Sequence, residues 1–321
     1  MAQPVASARV GQAPRSRARS ARFGLTVAAY ITPALIAIAI VNVFPLLYSF
    51  YMSLTNRNGP RRFPAGKYQV TGFDNYARLL GDTTFYTVFL RTILYAVICV
   101  ALFFVVGLAL ALLLNHPAIK GRAAWRTLLI LPWAVPTWVT ALVWKFLFHG
   151  QFGAINHILR AFNLPAPDWL LEPFTAWVAI IVVNLWMSFP FFMLILVGGL
   201  NSIPEDLYEA ASMDGASFWR QLFTITLPLL RPVALPAIIL SLITTFQMFN
   251  TVYLMTKGGP FTKVGEAGAT ELLLVWGYNK GFQGSMQFGL TSAFSIVVFV
   301  ILLCMTIGYT RVTRATRGVY E

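Results

Sequence analysis

The chain has 321 residues, of which 58% are hydrophobic, 15% aromatic and only 11% charged. Soluble domains carry about 25% charged residues, so this composition disfavours a soluble enzyme, a disordered chain and a disulfide scaffold. The mean hydropathy of +0.69 instead indicates a protein that crosses a membrane several times.

The net charge of +13 is concentrated at the two ends of the chain. Five arginines lie in the first 22 residues and three in the last eleven. Nucleic acid is not an expected partner, because no basic face with interleaved aromatic side chains lies between the two clusters. Basic ends that flank apolar segments follow the positive-inside pattern, so we assign 1–24 and 311–321 to two cytoplasmic tails.

Between the tails lie six apolar runs of about 20 residues or more, the length that crosses a bilayer. The sequence therefore predicts an all-α membrane domain over 25–310, with six transmembrane helices and both termini on the cytoplasmic side. In chain order the runs are Leu25–Leu47, Thr92–Leu114, Leu128–Phe148, Phe174–Leu200, Val233–Met255 and Leu290–Thr310.

These runs carry very few ionisable groups. None contains Asp or Glu, and Lys145 is the only charged residue within one. Proton-driven transport is therefore disfavoured, since it usually needs an ionisable relay in the membrane. The sequence also lacks a GxxxxGK[ST] phosphate loop, so active transport would need an ATPase on another subunit. Cys99 and Cys304 lie inside apolar runs and the histidines form no ligand cluster, so no metal site is predicted.

The cytoplasmic connection 201–232 contains strong local signals. Pro204 and the two acidic residues after it suit the first turn of a helix. Gly215 is expected to end this helix, and a second short helix is predicted over Phe218–Thr226, with Pro228 at its end. Two short helices that meet at a glycine would form a docking element for a cytoplasmic partner. The alternative is a plain connecting loop, which would usually be shorter and more polar.

The fifth run carries a polar stripe. Ser241, Thr244, Thr245 and Met248 follow the spacing i, i+3, i+4, i+7, which places them on one face of a helix. Such a face suits the wall of a polar pathway. The alternative is that these hydroxyls hold neighbouring helices together or bond to their own helix.

The fourth run carries polar and aromatic residues around a proline near its middle. These aromatic side chains could form an interfacial belt, but their mid-run position favours an interior role. Together with the polar stripe, they would supply the aromatic platform and neutral hydrogen-bonding groups that a sugar site needs. The residues are Asn184, Trp186, Ser188, Phe189 and Phe191, on either side of Pro190.

The connection 201–232, with its EAA tripeptide, a downstream glycine and a Leu-Pro pair, resembles the EAA loop of permeases from binding-protein-dependent importers of the ATP-binding cassette superfamily. In that family this loop carries the coupling helix, which sits in a cleft of the ATPase subunit. The resemblance implies that the ATPase-coupling residues are Glu209, Ala210, Ala211, Asp214, Gly215, Leu227 and Pro228.

Further stretches are similar to the larger-type permease of maltose and maltodextrin importers, namely Arg126–Phe148, Val182–Met193, Ile203–Ala216 and Leu254–Pro260. Gly72–Leu80 is similar to a segment common in sugar permeases. The resemblance implies the type I importer permease fold, without the two extra N-terminal spans and the large outer domain of some members. It implies sugar contacts at Trp186, Ser188, Phe191, Ser241, Thr244, Thr245 and Met248.

The same resemblance implies a set of partners and a substrate class. The partners are a second homologous permease, a cytoplasmic ATPase dimer and an extracytoplasmic sugar-binding protein, in the lipid of a bacterial or archaeal cytoplasmic membrane. This chain would bind no cofactor, since ATP and Mg²⁺ would lie on the ATPase. The implied substrate is maltose, maltodextrin or a related gluco-oligosaccharide such as trehalose. Maltose-specific members are rich in asparagine where this chain has threonines and methionine.

Two other function classes remain open from the residues alone. A self-sufficient secondary transporter or facilitator for small polar solutes would carry substrate without a partner. A purely structural membrane scaffold would leave the polar stripe without a purpose. Substrate flux through the isolated chain in liposomes distinguishes the first of these from an ATP-driven importer.

Overall fold

We describe the fold from a computed structural model. The structure describes residues 17–57, 68–262, 266–283 and 286–313, so most of the two predicted tails lies outside the described residues. The chain divides into two units, Met1–Tyr51 and Met52–Glu321, and we describe each by itself.

The described part of the first unit is one long apolar helix. α1 (Arg17–Ile38) continues through a π-helical turn at Ala39–Val43 into α2 (Phe44–Ser53). The segment Val27–Ser53 is long and apolar enough to cross a membrane, which confirms the first predicted span. The helix starts earlier and ends later than predicted. No side chain is buried between Val27 and Tyr51, as expected of a helix that is apolar on all sides and faces lipid or another chain.

In the described residues of the second unit the regular secondary structure is helical, apart from one isolated β-bridge between Thr55 and Val70. The all-α prediction is confirmed for the described part of the chain. The helices are α3 (Asp74–Gly81), α4 (Thr83–Asn115), α5 (Arg122–Ala134), α6 (Thr137–Leu147), α7 (Ala154–Ala161), α8 (Pro173–Leu200), α9 (Asp206–Met213), α10 (Phe218–Gln221), α11 (Leu227–Phe246), α12 (Asn250–Thr256), α13 (Leu273–Phe282) and α14 (Phe288–Thr313).

Five helices in the described residues are each long and apolar enough to cross a membrane, and the bent pair α5–α6 makes a sixth candidate. Six predicted spans therefore correspond to six helical segments. The core of the second unit forms where α4 packs against α8. At Gly107 on α4, an added Cβ would lie 2.5 Å from Cβ of Phe192, so glycine lets these two helices approach closely.

The third span, predicted as one apolar run over Leu128–Phe148, is strongly bent. α5 ends at Ala134 and α6 begins at Thr137, and the two axes differ in direction by 92°. Pro136 is the cause, because it has no N–H and its ring disfavours the helical conformation of the preceding residue. Val135 accordingly adopts an extended conformation with ψ 130°.

The fifth span lies earlier in the chain than the predicted Val233–Met255. α10, a π-helical turn at Leu222–Thr226 and α11 form one apolar helix from Phe218 to Phe246. The predicted second coupling helix is therefore the beginning of this span, and the prediction that Pro228 ends it is wrong. Proline is tolerated here because it lies in the first turn of α11, directly after the π-helical turn has shifted the hydrogen-bond register. The last part of the predicted span forms the separate helix α12.

Candidate functional site

A cavity of about 370 Å³ lies where α5, α8 and α11 come together. Two interruptions of spans border it, the bend after α5 and the end of α11. We call it the helix-break cavity. Its lining residues are Phe103, Pro132, Trp133, Val135, Thr137, Asn184, Met187, Ser188, Phe191, Leu240, Ser241, Thr244, Thr245 and Met248, and none of them carries a charge.

The hydroxyl groups of α11 form one wall of the helix-break cavity. Ser241 and Thr245 are buried, whereas Thr244 is exposed. Thr244 Oγ1 donates to the Ser241 carbonyl oxygen at 3.1 Å, which leaves its lone pairs free to accept a hydrogen bond. Met248 lies beyond the end of the helix at Phe246, yet it lines the same cavity. The structure thus brings all four residues of the predicted polar stripe together.

The middle of α8 supplies an amide and a hydroxyl to the cavity. Asn184 is buried, and its Nδ2 donates to the Tyr95 hydroxyl at 2.9 Å. Ser188 Oγ lies 3.5 Å from Asn184 Oδ1, at the outer limit of a hydrogen bond. The Tyr95 bond holds the amide in place, while Asn184 Oδ1 and the Ser188 hydroxyl remain able to bind another polar group.

Aromatic rings from α5 and α8 form the apolar side of the helix-break cavity. The ring centroids of Trp133 and Phe191 lie 6.3 Å apart at an interplanar angle of 44°. Trp133 is 57% exposed, so much of its indole surface is available for contact. An open aromatic face near several hydroxyls can receive a molecule that has one apolar face and many hydroxyl groups, as a sugar has.

Trp186 is the one predicted sugar-contact residue that the structure does not bring to the cavity. Its ring packs in a T-shaped arrangement against Trp144 of α6, with centroids 5.8 Å apart. The helical period is the reason. Residues 184, 187, 188 and 191 share one face of α8, whereas residue 186 points about 160–200° away from residues 184 and 188.

Sequence reasoning missed seven of the lining residues, because their position depends on tertiary structure. They are Trp133, Thr137, Phe103, Met187, Pro132, Val135 and Leu240. Trp133 and Thr137 reach the cavity because they flank the bend of the third span. Phe103 reaches it from α4, and Met187 lies one residue from the predicted Ser188. The signal that could have found the first two is Pro136, since a proline in a membrane helix often marks a break that lines a cavity.

The second candidate site is the exposed turn between α9 and α10, which we call the coupling knob (residues 205–221). The prediction that Gly215 ends the first helix of this connection agrees with the structure. Gly215 has φ +73° and ends α9 in a Schellman motif, where Ala216 N–H donates to Ala211 O and Gly215 N–H donates to Ser212 O. An added Cβ at Gly215 would meet no atom within 4 Å in this chain. The space beside it is therefore open to a partner.

The coupling knob is tied to the membrane bundle by side-chain hydrogen bonds. The Tyr208 hydroxyl on α9 lies 3.0 Å from Thr226 Oγ1, in the π-helical turn of the fifth span. Gln221 Nε2 donates to Ser212 Oγ at 3.1 Å and to the Ala216 carbonyl at 3.1 Å. These bonds link the orientation of α9 directly to the start of the fifth span.

The predicted coupling residues occupy two places. Glu209, Ala210, Asp214 and Gly215 are exposed and Ala211 partly exposed on the knob, and no residue of α9 is buried. Leu227 and Pro228 instead lie in the first turn of α11, where Leu227 packs against the core. The structure thus separates an exposed surface that a partner can contact from a Leu-Pro pair inside the span.

A loop after α12 holds a buried carboxylate outside the spans. Glu271 is 3% exposed; its Oε2 accepts from the Gly268 N–H at 3.0 Å and its Oε1 from Asn279 Nδ2 at 2.7 Å. Arg91 donates to the Gly268 carbonyl at 2.6 Å. Burial raises the pKa of Glu271 above its ordinary value, although these hydrogen bonds and the charges of Arg91 and Lys280 act in the opposite direction.

Comparison with known proteins gives a family match over much of the chain. The model of a family described as "Binding-protein-dependent transport system inner membrane component" matches residues 104–318. This range contains every residue assigned above to the coupling knob and all but one of those lining the helix-break cavity.

Sequence relatives include transport permeases from archaea and bacteria. The trehalose/maltose transport system permease protein of Thermococcus litoralis is 34% identical over 93% of this chain and 96% of its own length. The maltose/maltodextrin transport system permease protein of Escherichia coli K12 is 37% identical over 83% of this chain, which spans only 54% of that longer protein. The galactooligosaccharides transport system permease protein of Bacillus subtilis is 34% identical over 88% of this chain and 69% of its own length.

Among solved structures, a chain of a bacterial ABC transporter that imports the acidic polysaccharide alginate has a similar fold. Its TM-score is 0.75 at 20% identity, and the match covers 94% of this chain and 99% of that chain. This likeness concerns the fold, and it confirms the type I importer permease fold predicted from the sequence.

Proposed function

Since this chain belongs to the family of binding-protein-dependent transport system inner membrane components, we propose that it is the permease subunit through which an ATP-driven importer moves a neutral oligosaccharide across a membrane. The observation that carries the substrate class is the helix-break cavity, which combines hydroxyl, amide and aromatic groups and has no charged lining residue. A neutral polar ligand with apolar faces suits such a lining.

The lining of the helix-break cavity offers both kinds of group that the proposed sugar contacts need. Ser188, Ser241, Thr244 and Thr245 offer hydroxyls to the substrate, while Phe191 offers a ring face beside Trp133. The cavity volume of about 370 Å³ lies within the usual range of small-molecule sites. Relatives are named for trehalose, maltose, maltodextrin and galactooligosaccharides, so gluco-oligosaccharides such as maltose or trehalose are the first substrates to test.

The coupling knob would transmit the conformational change that ATP hydrolysis drives in the ATPase to the membrane helices. Glu209, Ala210, Asp214 and Gly215 would enter a cleft of a cytoplasmic ATPase dimer, which binds ATP and Mg²⁺. The knob is exposed, and the Tyr208–Thr226 bond connects it to the span whose other end lines the helix-break cavity. Movement of the knob would therefore tilt the fifth span and change access to the cavity.

The remaining partners and the orientation follow from the same family. A second, homologous permease would complete the pathway, and an extracytoplasmic binding protein would present the sugar. Up to six spans with basic ends support a cytoplasmic position for both termini. In this orientation α6 and α12 would lie toward the outside and the coupling knob toward the ATPase.

The test is the ATPase activity of the complex of this chain with its partner permease and ATPase, reconstituted in lipid vesicles. Binding protein loaded with maltose, trehalose, maltotriose or a galactooligosaccharide is added in turn, and unloaded binding protein is the control. We expect one loaded sugar to stimulate hydrolysis. If the assembled complex is stimulated by none of them, while the isolated chain carries these sugars without ATP, the chain is a facilitator and the proposal is wrong.

A further inference from the structure

Lys145, the one charged residue within the predicted spans, makes a specific contact with another helix. It lies in the last turn of α6, and its ammonium group donates a hydrogen bond to the Leu254 carbonyl of α12 at 3.1 Å. The side chain is partly buried, so it does not simply extend into water. The two helices also pack along each other.

The end of α12 is a suitable partner for an ammonium group. The last four carbonyl groups of a helix have no partner within the helix, and they carry partial negative charge. Leu254 is one of these residues, since α12 ends at Thr256. Neither α6 nor α12 contains an acidic residue, so this carbonyl takes the place of a carboxylate for Lys145.

Both helices begin at an interruption that borders the helix-break cavity. Thr137, the first residue of α6, lines the cavity, and Met248 lines it just before α12 begins. The Lys145–Leu254 bond therefore joins the two half-helices on one side of the cavity. Separation of α6 from α12 would open the cavity toward that side.

The contact between α6 and α12 contains two groups that lower its stability. Thr140 on α6 and Thr251 on α12 are both buried, and neither hydroxyl has a hydrogen-bond partner. A buried hydroxyl without a partner costs free energy. Two such groups lower the stability of the packing between α6 and α12. The hydrogen bond from Lys145 therefore contributes a larger share of the interactions that hold the two helices together. Helix pairs that must separate in a transport cycle are expected to have only a small net stabilisation when packed.

We propose that Lys145 is a positioning residue that latches the outer side of the helix-break cavity. The latch is closed when its ammonium group binds the end of α12, and it opens when α6 and α12 separate to admit substrate. This assignment rests on the proposed function only for the statement that α6 and α12 face the outside of the membrane.

The test measures access to the cavity from outside. The full chain, in complex with its partners in right-side-out vesicles, carries Thr244→Cys as a reporter on the exposed part of the cavity wall. Cys304, which is exposed, is replaced by serine, while buried Cys99 is retained. A membrane-impermeant thiol reagent is added outside, and the rate of labelling is recorded without ATP.

We expect Lys145→Met to raise the labelling rate about tenfold or more, because a hydrogen bond to a charged group is lost. Lys145→Arg keeps a charged donor and should label near the rate of the parent. Lys280→Met is the matched control, since that ammonium lies over the Trp276 ring, 5.5 Å from its centroid. Thr251→Val should slow labelling, because it removes an unpaired hydroxyl at nearly constant shape.

An unchanged rate in Lys145→Met, or equal rates in Lys145→Arg and Lys145→Met, would overturn the latch. Membrane content of each variant is measured by immunoblot. If Lys145→Met is absent from the membrane, Lys145→Leu, which also lacks a donor, replaces it, and the same two outcomes decide. The labelling test is independent of sugar-stimulated ATPase activity, so a failed latch and a failed importer assignment give different results.

Discussion

The helix-break cavity and the coupling knob are built in opposite ways. The knob is made from about 17 consecutive residues, and each of its turns has a local cause in a proline, a glycine or a capping serine. The cavity is made from five helices and from two interruptions that are more than 100 residues apart. A local element is therefore readable from sequence, whereas a cavity depends on how distant segments pack.

The two sites also differ in what surrounds them. The knob exposes its key residues and leaves open space beside Gly215, so its proposed function requires contact with a partner. The cavity contains its own binding groups, with Ser241, Thr245 and Asn184 buried in this chain alone. Changes in the knob should therefore impair coupling while the chain stays folded, and changes in the cavity should alter sugar affinity.

The largest expected effect is at the knob. Gly215→Asp should lower sugar-stimulated ATPase activity of the assembled complex by about a hundredfold or more, because it places an unpaired charge in a docking surface. Gly72→Asp is the matched control, since Gly72 has φ +63° and equally open surroundings. Backbone strain is then the same in both variants. Equal loss of activity in both would show that strain, and not docking, explains the effect.

At the cavity we expect a smaller and different effect. Thr244→Val should raise the sugar concentration needed for half-maximal stimulation about three- to tenfold, because one hydrogen bond to the sugar is lost. Maximal ATPase activity should change little. The control is Thr87→Val on α4, whose hydroxyl bonds to its own helix at Thr83 O. An unchanged sugar response in Thr244→Val would assign the α11 hydroxyls to helix packing.

The packing that supports the cavity can be tested separately. Gly107→Ala places a Cβ 2.5 Å from Phe192 Cβ, and we expect it to reduce stability by about 1–3 kcal/mol. Gly198→Ala on α8 has open space and should be neutral or stabilising by about 0.5–1 kcal/mol. Thermal unfolding in detergent measures both. Similar unfolding temperatures for the two variants would contradict the close approach of α4 and α8.

The smallest expected effect concerns pH and the loop that contains Glu271. The pKa of its carboxyl is raised by burial, so the folded loop binds more protons than the unfolded loop between the two pKa values. The loop should become more stable as pH falls through that window, and it should lose this stability as pH rises through the window. Hydrogen exchange at the Thr270 amide, corrected for intrinsic rates, measures this. Glu271→Gln should flatten the pH dependence, whereas Glu172→Gln at an exposed position should not.

Much of the fold and of the knob could be predicted from the sequence. Apolar runs located six spans because a bilayer requires about 20 apolar residues for each crossing. The glycine signal placed the turn at Gly215, because a residue at φ +73° is most easily glycine. Prolines were harder to interpret, because Pro136 interrupts its span whereas Pro228 does not end the helix that was predicted to end there. One proline bends a span by 92° and the other lies within a continuous helix, and hydropathy does not distinguish them.

The sequence by itself determined that the chain is an apolar, all-α membrane protein with a glycine-ended turn between its fourth and fifth spans. Composition, run length and capping residues act locally, so no knowledge of packing is needed to interpret them. Only the tertiary structure decided that Trp133, Asn184 and Thr244 share one cavity, that Trp186 faces away from it, and that Lys145 binds the end of α12. These contacts join residues about 40 to more than 100 positions apart, and their partners are set by how the helices bend and pack.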